Sequence, residues 1–325
     1  MGVEAGAQNS EQLASAVRTG DRAAIAQALN LLDDHRPEAR EHATALLDHL
    51  LSDGPRQAAH LIGLTGPPGV GKSTLTAALI SIWRERNLTV GIIAVDPSSP
   101  ISGGALLGDR LRMHSACDDD GVFIRSLSNR GQFGGLSSEV WPMSLVMLCC
   151  FDIVLVETVG VGQREVDVAT SCDTTCFVAQ PGAGDSIQFL KAGILEVPHL
   201  LVVNKSDMGE EASRTLTELR GALGGQHPDG NWPVPVVATS ALHGEGLQEL
   251  ADTLQAHFEH LNSNGQLQQH RNRNQAHWLL RRVEDNFGRH GVERLGGAAT
   301  VLREFGSSFG NPLRQLENCQ QKLNR

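Results

Sequence analysis

The stretch that decides the fold reads LIGLTGPPGVGKSTL and covers residues 61–75. The apolar run Leu61–Thr65 leads into a glycine-rich turn that matches G-x-x-x-x-G-K-[ST] at every position, and a helix is predicted from about Ser73. Backbone N–H groups of such a turn point at bound phosphates, and the helix that follows adds favourable potential. The stretch therefore predicts a phosphate cradle made of Gly66, Pro67, Pro68, Gly69, Val70, Gly71, Lys72, Ser73 and Thr74.

Two side chains of this cradle carry chemistry. Lys72 is expected to neutralise the β- and γ-phosphates of the nucleotide and so to act in catalysis. Ser73 is expected to place its hydroxyl on Mg²⁺. A glycine-rich turn without a ligand is the alternative, and the strand before the motif and the helix after it disfavour that reading.

The chain around the cradle alternates short apolar runs with helical segments. This alternation predicts an α/β fold of the P-loop NTPase type, with a mainly parallel sheet covered by helices on both faces. Functional residues should then follow the carboxyl ends of the strands. The predicted strands are Leu61–Thr65, Val90–Val95, Val122–Ser126, Phe151–Glu157, Thr175–Ala179, Leu200–Val203 and Val234–Ala238.

Helical patterns flank this region on both sides. Residues 1–55 are predicted to form an N-terminal helical extension, residues 56–262 the nucleotide-binding domain, and residues 263–325 a C-terminal helical arm. Apolar residues recur at helical spacing in the arm, which would suit packing on the domain or against a second subunit. A homodimer is one expectation from this pattern.

The composition narrows the classes of partner. The 325 residues carry a formal net charge of −10 with both signs mixed along the chain, and tyrosine is absent. This disfavours broad contact with nucleic acid or anionic membranes, so proteins and small molecules are the expected partners. Six cysteines without a CxxC pair are typical of buried thiols in a reducing cytoplasm.

Asn204-Lys205-Ser206-Asp207 follows an apolar strand, where a loop that reads the base is expected. The Asp207 carboxylate can accept from both guanine N1–H and the exocyclic amine, whereas adenine offers an acceptor at N1 and no amine at C2. A site built for such bonds rejects the wrong base because its polar groups are left unpaired. Guanine recognition is therefore predicted for Asn204, Lys205 and Asp207, completed by the loop Ser240, Ala241 and Leu242.

Three acidic residues that come at or after the ends of two predicted strands are candidate metal ligands. Glu157 ends an apolar strand and could hold Mg²⁺ directly or through water, although GTPases usually have Asp there. The turn that follows contains Gly160, which could sense a γ-phosphate, and Gln163, which could position a water. Asp96 and Asp109 could also reach the metal. Read locally, both suit turns beside proline or glycine, and Glu157 suits a buried or capping role.

Six ordered blocks between about residues 60 and 250 closely resemble the MeaB/ArgK family of GTPases. They are the cradle, VDPSSPISGGALLGDRLRM, FIRSLSNRGQFGGLS, VETVGVGQREVDVA, QPGAGDSIQFLKAGILEVPHLLVVNKSD and ATSALHGEGL. The resemblance implies a SIMIBI-type G domain, usually dimeric, that uses GTP, GDP and Mg²⁺. It also implies a cytoplasmic chaperone that protects an adenosylcobalamin-dependent acyl-CoA mutase, of the methylmalonyl-CoA mutase type, and gates its cofactor loading.

The resemblance also implies roles for individual residues. The family's metal and phosphate positions fall on Lys72, Ser73, Asp96, Asp109 and Glu157. An additional switch that couples nucleotide state to the mutase falls on residues 180–191, with Asp185, Gln188 and Lys191 as the matching polar positions. Ser99-Pro100-Ile101-Ser102 departs from the family pattern in the first switch. Basal hydrolysis is expected to be slow.

Three other functions compete with this interpretation. An ATP-using kinase or ATPase of an amino-acid transport system is disfavoured by Asp207. A nickel-type metallochaperone GTPase would need a His-rich tract or CxxC near the amino terminus, and the sequence has neither. A dimeric scaffold that binds GTP without cycling would bind the mutase equally in its GDP and GTP forms.

Overall fold

The computed structural model describes residues 2–96, 119–128, 138–158, 171–182, 198–222 and 232–324. The chain divides into two compact units. The sheet unit comprises His60–Ser137 and Ile153–Gly265, and the helical unit comprises Met1–Ala59, Ser138–Asp152 and Gln266–Arg325. Among the helices of the described ranges, none is both long enough and apolar enough to cross a membrane.

The sheet unit is built on seven strands that pair in the order β3-β2-β4-β1-β5-β6-β7. Every neighbouring pair is parallel. The strand that leads into the cradle is therefore central, with β4 on one side and β5 on the other. The bounds are β1 His60–Thr65, β2 Val90–Asp96, β3 Val122–Ser128, β4 Ile153–Thr158, β5 Thr174–Ala179, β6 Leu200–Asn204 and β7 Val236–Thr239.

Alternate residues of these strands enter two different apolar cores, because side chains of a strand point to opposite faces in turn. On one face, Val178 and Val202 pack with residues of α4 (Lys72–Glu85) and α7 (Leu247–Ser263). On the other face, Phe177 and Leu201 pack with Leu219 of α6 (Glu210–Ala222). The α/β fold with a parallel sheet covered on both faces is confirmed.

The helical unit begins with three helices whose ends follow from local chemistry. Before α2, the Asp21 carboxylate accepts from the Ala24 N–H and caps the helix. Pro37 occupies the first position of α3, where its missing N–H costs no hydrogen bond. The bounds are α1 Gly2–Arg18, α2 Arg22–Asp33 and α3 Pro37–Ser52.

The rest of this unit comes from the middle and the end of the chain. Helix α5 (Val140–Leu148) is buried at every position, and its residues are apolar except Ser144, whose hydroxyl donates to the Val140 oxygen. Helix α8 (Gln266–Arg294) is interrupted at Gly288, whose φ of 64° is not helical. It packs with α10 (Pro312–Leu323) through an apolar cluster that includes Leu279, Val283 and Leu316; α9 spans Ala298–Phe305.

Candidate nucleotide-binding site

The predicted motifs meet at the carboxyl edge of the sheet, where the strand order changes direction on either side of β1. The cradle follows β1, Glu157 lies near the end of β4, Asn204 ends β6, and Ser240 follows β7. Leu64 of β1 pairs in register with Glu157 of β4. This edge of a parallel sheet is the usual place for a ligand in doubly wound folds.

The cradle requires glycine at two positions for reasons of space as well as conformation. Gly66 has a φ of 145°, and a Cβ added there would lie 2.2 Å from the backbone oxygen of Val178. Gly71 has a φ of 93°, and its Cβ would lie 2.6 Å from Nδ2 of Asn204. The loop can therefore pass close to β5 and to the guanine motif only because these residues have no side chain.

Lys72 is the first residue of α4, and its side chain folds back across the cradle. The ammonium donates to the backbone oxygens of Gly66, at 2.7 Å, and Pro67, at 2.9 Å. The residue is buried. A positive charge is thus held inside the loop whose backbone would surround the phosphates.

Glu157 is almost completely buried, at 2% exposure, and binds two hydroxyls of α4. Ser73 Oγ donates to its Oε1 at 2.8 Å, and Thr76 Oγ1 donates to its Oε2 at 2.9 Å. A hydroxyl that gives its proton to a carboxylate can ligate a cation through an oxygen lone pair. Hydroxyl and carboxylate oxygens are the donors that Mg²⁺ prefers, so this pair fits that ion.

Asn204 ties three loops together. Its Nδ2 donates to the backbone oxygen of Val70 at 2.9 Å. Its Oδ1 accepts from Thr239 Oγ1 at 3.2 Å and from the Ala241 N–H at 3.1 Å. The amide is buried, so it fixes the cradle and the loop after β7 relative to the end of β6.

Asp207 stands at the surface, and one hydrogen bond orients it. Ser240 Oγ donates to Asp207 Oδ1 at 2.6 Å. This bond holds the pKa of the Asp207 carboxyl below its usual value. An exposed carboxylate that stays ionised beside a phosphate cradle can accept two N–H donors from the edge of a guanine.

Lys205 connects the guanine motif with two other loops. Its ammonium donates to the Gly69 oxygen and to Oε1 of Gln180, both at 2.8 Å. Its backbone has a φ of 62°, a left-handed conformation that only one other non-glycine residue of the described ranges, Asn87, shares.

Two large hydrophobic side chains of the described residues are exposed, and both flank the guanine motif. Leu242, in the loop after β7, is 79% exposed, and Met208, next to Asp207, is 44% exposed. Isolated exposed apolar residues are common, but two at the edge of one polar site could cover the flat face of a base.

Several predicted residues lie outside the described part of the chain. These are Asp109, Gly160, Gln163, Asp185, Gln188 and Lys191. Asp96 is the last residue of β2, so its backbone reaches the carboxyl edge, while its side chain is not described. The roles of all seven stay predictions.

Sequence reasoning missed three residues of the site. Thr76 lies one helical turn after Ser73, so its spacing could have indicated a second hydroxyl on the same side of α4. Met208 gave no signal, and Gln180 is expected only as the first residue of the 180–191 segment, because their positions in the site depend on how separate loops meet. The side chains of Pro67, Pro68 and Thr74 have no polar role in the described contacts, consistent with a cradle that acts through its backbone.

Comparison with known proteins identifies relatives over most of the chain. The family model for the methylmalonyl-CoA mutase-associated GTPase MeaB matches residues 25–294. A protein of Pyrococcus abyssi named as a GTPase is 41% identical over 266 residues, which is 80% of each chain. A mitochondrial protein of Caenorhabditis elegans, named as a methylmalonic aciduria type A homolog, is 32% identical and covers 85% of this chain and 73% of its own.

Among solved structures, the crystal structure of an LAO/AO transport system kinase superposes with a TM-score of 0.70. Its sequence is 27% identical, and the match covers 98% of both chains. The similarity therefore includes the regions before and after the sheet unit as well as the sheet itself.

Proposed function

The chain belongs to the MeaB family of methylmalonyl-CoA mutase-associated GTPases, and on that premise we propose that it is a GTP-driven chaperone of an adenosylcobalamin-dependent acyl-CoA mutase. In this role it protects the mutase and gates the loading of its cofactor. The mutase link is supported by the description of the family and by the name of the C. elegans relative. One observation carries the choice of nucleotide: the ionised Asp207 carboxylate, oriented by Ser240, beside the cradle.

In the proposed mechanism, the chain's own groups position GTP for attack by water on the γ-phosphoryl group. Cradle N–H groups and the Lys72 ammonium stabilise negative charge on the phosphates. Ser73 and Glu157, with Asp96 and Asp109 as further candidates, would hold Mg²⁺, which neutralises phosphate charge when bound. Gln163 is the candidate for orienting the water.

Slow basal turnover is part of the proposal, with the mutase completing the site or ordering the switch residues Gly160, Asp185, Gln188 and Lys191. The measurement is GTP hydrolysis by the purified protein, with and without purified methylmalonyl-CoA mutase. Faster turnover with the mutase supports the proposal. Equal rates in the two assays would contradict it.

The guanine assignment has a sharper test in Asp207→Asn. The amide presents a donor where guanine also presents one, whereas xanthine carries a carbonyl oxygen at that position. We expect the variant to bind GTP more weakly and xanthosine triphosphate more tightly than the wild type does. Cobalamin loading of the mutase should then depend on xanthosine triphosphate instead of GTP. The same variant assayed with GTP is the internal control.

The alternatives are separated by two further measurements. If ATP displaced labelled GTP at comparable concentration, the kinase interpretation would be favoured over ours. If the mutase bound the GDP form and the form with a non-hydrolysable GTP analogue equally well, a static scaffold would be favoured.

A homodimer through residues 263–325 is also part of the proposal, and sedimentation of the full chain and of a chain truncated after residue 262 would test it.

A further inference from the structure

Gln180 contacts the guanine motif through Lys205, and the proposed function gives this contact no role. It follows β5 directly and is the first residue of the 180–191 segment to which the mutase-coupling role is ascribed. Its Oε1 accepts the Lys205 ammonium at 2.8 Å, while the same ammonium donates to the Gly69 oxygen. One lysine thus links the loops that follow β1, β5 and β6.

The backbone of Lys205 shows that this position is constrained. A left-handed conformation is strained for a non-glycine residue and persists only where its surroundings enforce it. Asn204 before it makes three hydrogen bonds, and Asp207 after it is held by Ser240. The two acceptors on the ammonium complete the constraint by fixing the far end of the side chain.

The Lys205 side chain runs from the guanine motif to the cradle, and this course indicates its role. With its backbone in the guanine motif and its ammonium on Gly69, the aliphatic stem of Lys205 spans the distance between that motif and the cradle. A bound nucleotide must span the same distance, because Asp207 takes the base and the cradle takes the phosphates. Lysine stems commonly cover apolar surface while the charged end is bound elsewhere.

We propose that Gln180 is a positioning residue for the nucleotide: together with Gly69 it holds the Lys205 stem against the purine and so slows nucleotide release. This rests on the proposed function for the placement of the base at Asp207 and of the phosphates in the cradle, and for the meaning of the 180–191 segment. Any rearrangement that removes Gln180 from Lys205 would then loosen the nucleotide. The effect is the same for GDP and GTP, because both carry the same base and the same first two phosphates.

The test is release of fluorescent GDP and of a fluorescent non-hydrolysable GTP analogue from the isolated full-length protein. Gln180→Met keeps the length of the side chain and removes the acceptor, and we expect release of both nucleotides to be about tenfold faster. Gln180→Glu keeps an acceptor for the ammonium and should release at or below the wild-type rate. In steady-state hydrolysis we expect the effect of Gln180→Met in KM rather than in kcat.

Gln248→Met is the matched control, because Gln248 also accepts from a basic side chain, Arg86, on the surface of the same unit. It should release nucleotide as the wild type does. The proposal is overturned if Gln180→Met releases at the wild-type rate, if Gln180→Glu is as fast as Gln180→Met, or if Gln248→Met is equally fast. The release assay contains no mutase, so a negative result would contradict the role of Gln180 and not the chaperone role. If the mutase instead bound the GDP and GTP forms equally, only the chaperone role would be contradicted.

Discussion

At the scale of single residues, Glu157 shows how a longer carboxylate changes its surroundings. GTPases commonly have Asp at this point, and the extra methylene of Glu moves the carboxylate further from β4. Two hydroxyls of α4, from Ser73 and Thr76, then bind one oxygen each. Thr76 therefore orients the carboxylate, and in the proposed function the Ser73 oxygen would be the one that ligates Mg²⁺.

Thr76→Val tests this division of roles. Removing the second hydroxyl takes away the Thr76 hydrogen bond that helps to orient the buried carboxylate, so Glu157 should orient Ser73 less well. Groups that orient metal ligands typically contribute 10–100-fold to metal affinity. We expect the Mg²⁺ concentration for half-maximal GTP hydrolysis to rise about tenfold, as measured by magnesium titration.

The control for that experiment is Thr253→Val, which removes an exposed hydroxyl whose bond goes to the backbone of its own helix, at Glu249. It should leave the magnesium requirement unchanged. An unaltered requirement in Thr76→Val would contradict the orienting role.

Ser240→Ala is predicted to weaken guanine recognition without touching the base directly. Without the Ser240 hydroxyl, the pKa of Asp207 should rise towards its ordinary value and the carboxylate should be less well oriented. We expect GTP affinity to fall about three- to tenfold. The loss for inosine triphosphate should be smaller, because that base lacks the exocyclic amine and makes one bond fewer with Asp207.

The pH dependence of the same variant follows from the sign of the shift. The ionised carboxylate is the form that binds guanine, so affinity persists above its pKa and falls as pH drops through it. The loss should begin at a higher pH in Ser240→Ala than in the wild type, measured by equilibrium binding between pH 4 and 7. Ser213→Ala, which removes an exposed hydroxyl bonded to the Gly209 oxygen, serves as control; identical profiles for all three proteins would refute the prediction.

At the scale of elements, the cradle separates two costs of replacing a glycine. Gly66 and Gly69 both have positive φ, at 145° and 79°, but only Gly66 would place a Cβ against backbone. Ala at Gly69 meets nothing within 4 Å, so it should cost only the strain of the left-handed region, about 1–2 kcal/mol. Gly66→Ala must in addition displace the Val178 carbonyl of β5.

We therefore expect Gly66→Ala to lower the Tm of the nucleotide-free protein clearly more than Gly69→Ala, which should lower it by only a few degrees. Thermal unfolding followed by circular dichroism makes the comparison. Equal losses in the two variants would show that the contact with β5 relaxes without cost.

The elements were largely predictable because strands buried on both faces read as continuous apolar runs. All seven predicted strands are present, and their ends differ for local reasons. β7 was predicted from Val234 but begins at Val236, since Pro235 has no N–H and offers only its oxygen, to Leu201. β4 was predicted from Phe151, yet the Phe151 N–H still bonds Met147 at the end of α5.

Residues of the candidate site could be predicted where they are contiguous in the sequence and not where separate loops meet. The cradle and the guanine motif are written in single stretches, so their chemistry can be read from spacing. The bond between Gln180 and Lys205 depends on β5 and β6 being neighbours, and the strand order is not encoded in any local pattern. The place of the segment around α5 was equally unpredictable, because nothing in its apolar sequence indicates that it packs within the helical unit.

At the scale of the whole molecule, the path of the chain predicts that the stabilities of the two units are coupled. The chain passes between them after residues 59, 137, 152 and 265, so each unit is built from separated stretches. Residues 138–152 leave the sheet unit and return directly into β4, which starts at Ile153. Loss of the sheet would release both ends of this segment, so we expect the units to unfold together.

Buried thiols report on each unit separately and make this expectation measurable. Cys149, Cys150 and Cys319 lie in the helical unit, and Cys172 and Cys176 lie in the sheet unit. All five are buried, and none of them forms a disulfide. Burial raises the pKa of the Cys149 thiol to about 11, and it raises the pKa values of the other four as well. At neutral pH they should resist alkylation until their unit opens, because the thiolate is the reactive form.

Alkylation across a urea series, with each cysteine quantified by mass spectrometry, then gives a midpoint per unit. A nucleotide at one hundred times its Kd stabilises the state that binds it by about 2.7 kcal/mol. If the units unfold together, GTP with Mg²⁺ should move all five midpoints upward by the same amount, although the predicted binding residues all lie in the sheet unit. A shift confined to Cys172 and Cys176 would mean that the helical unit unfolds independently of the sheet unit. The chain connections at residues 138–152 would then not couple the unfolding of the two units.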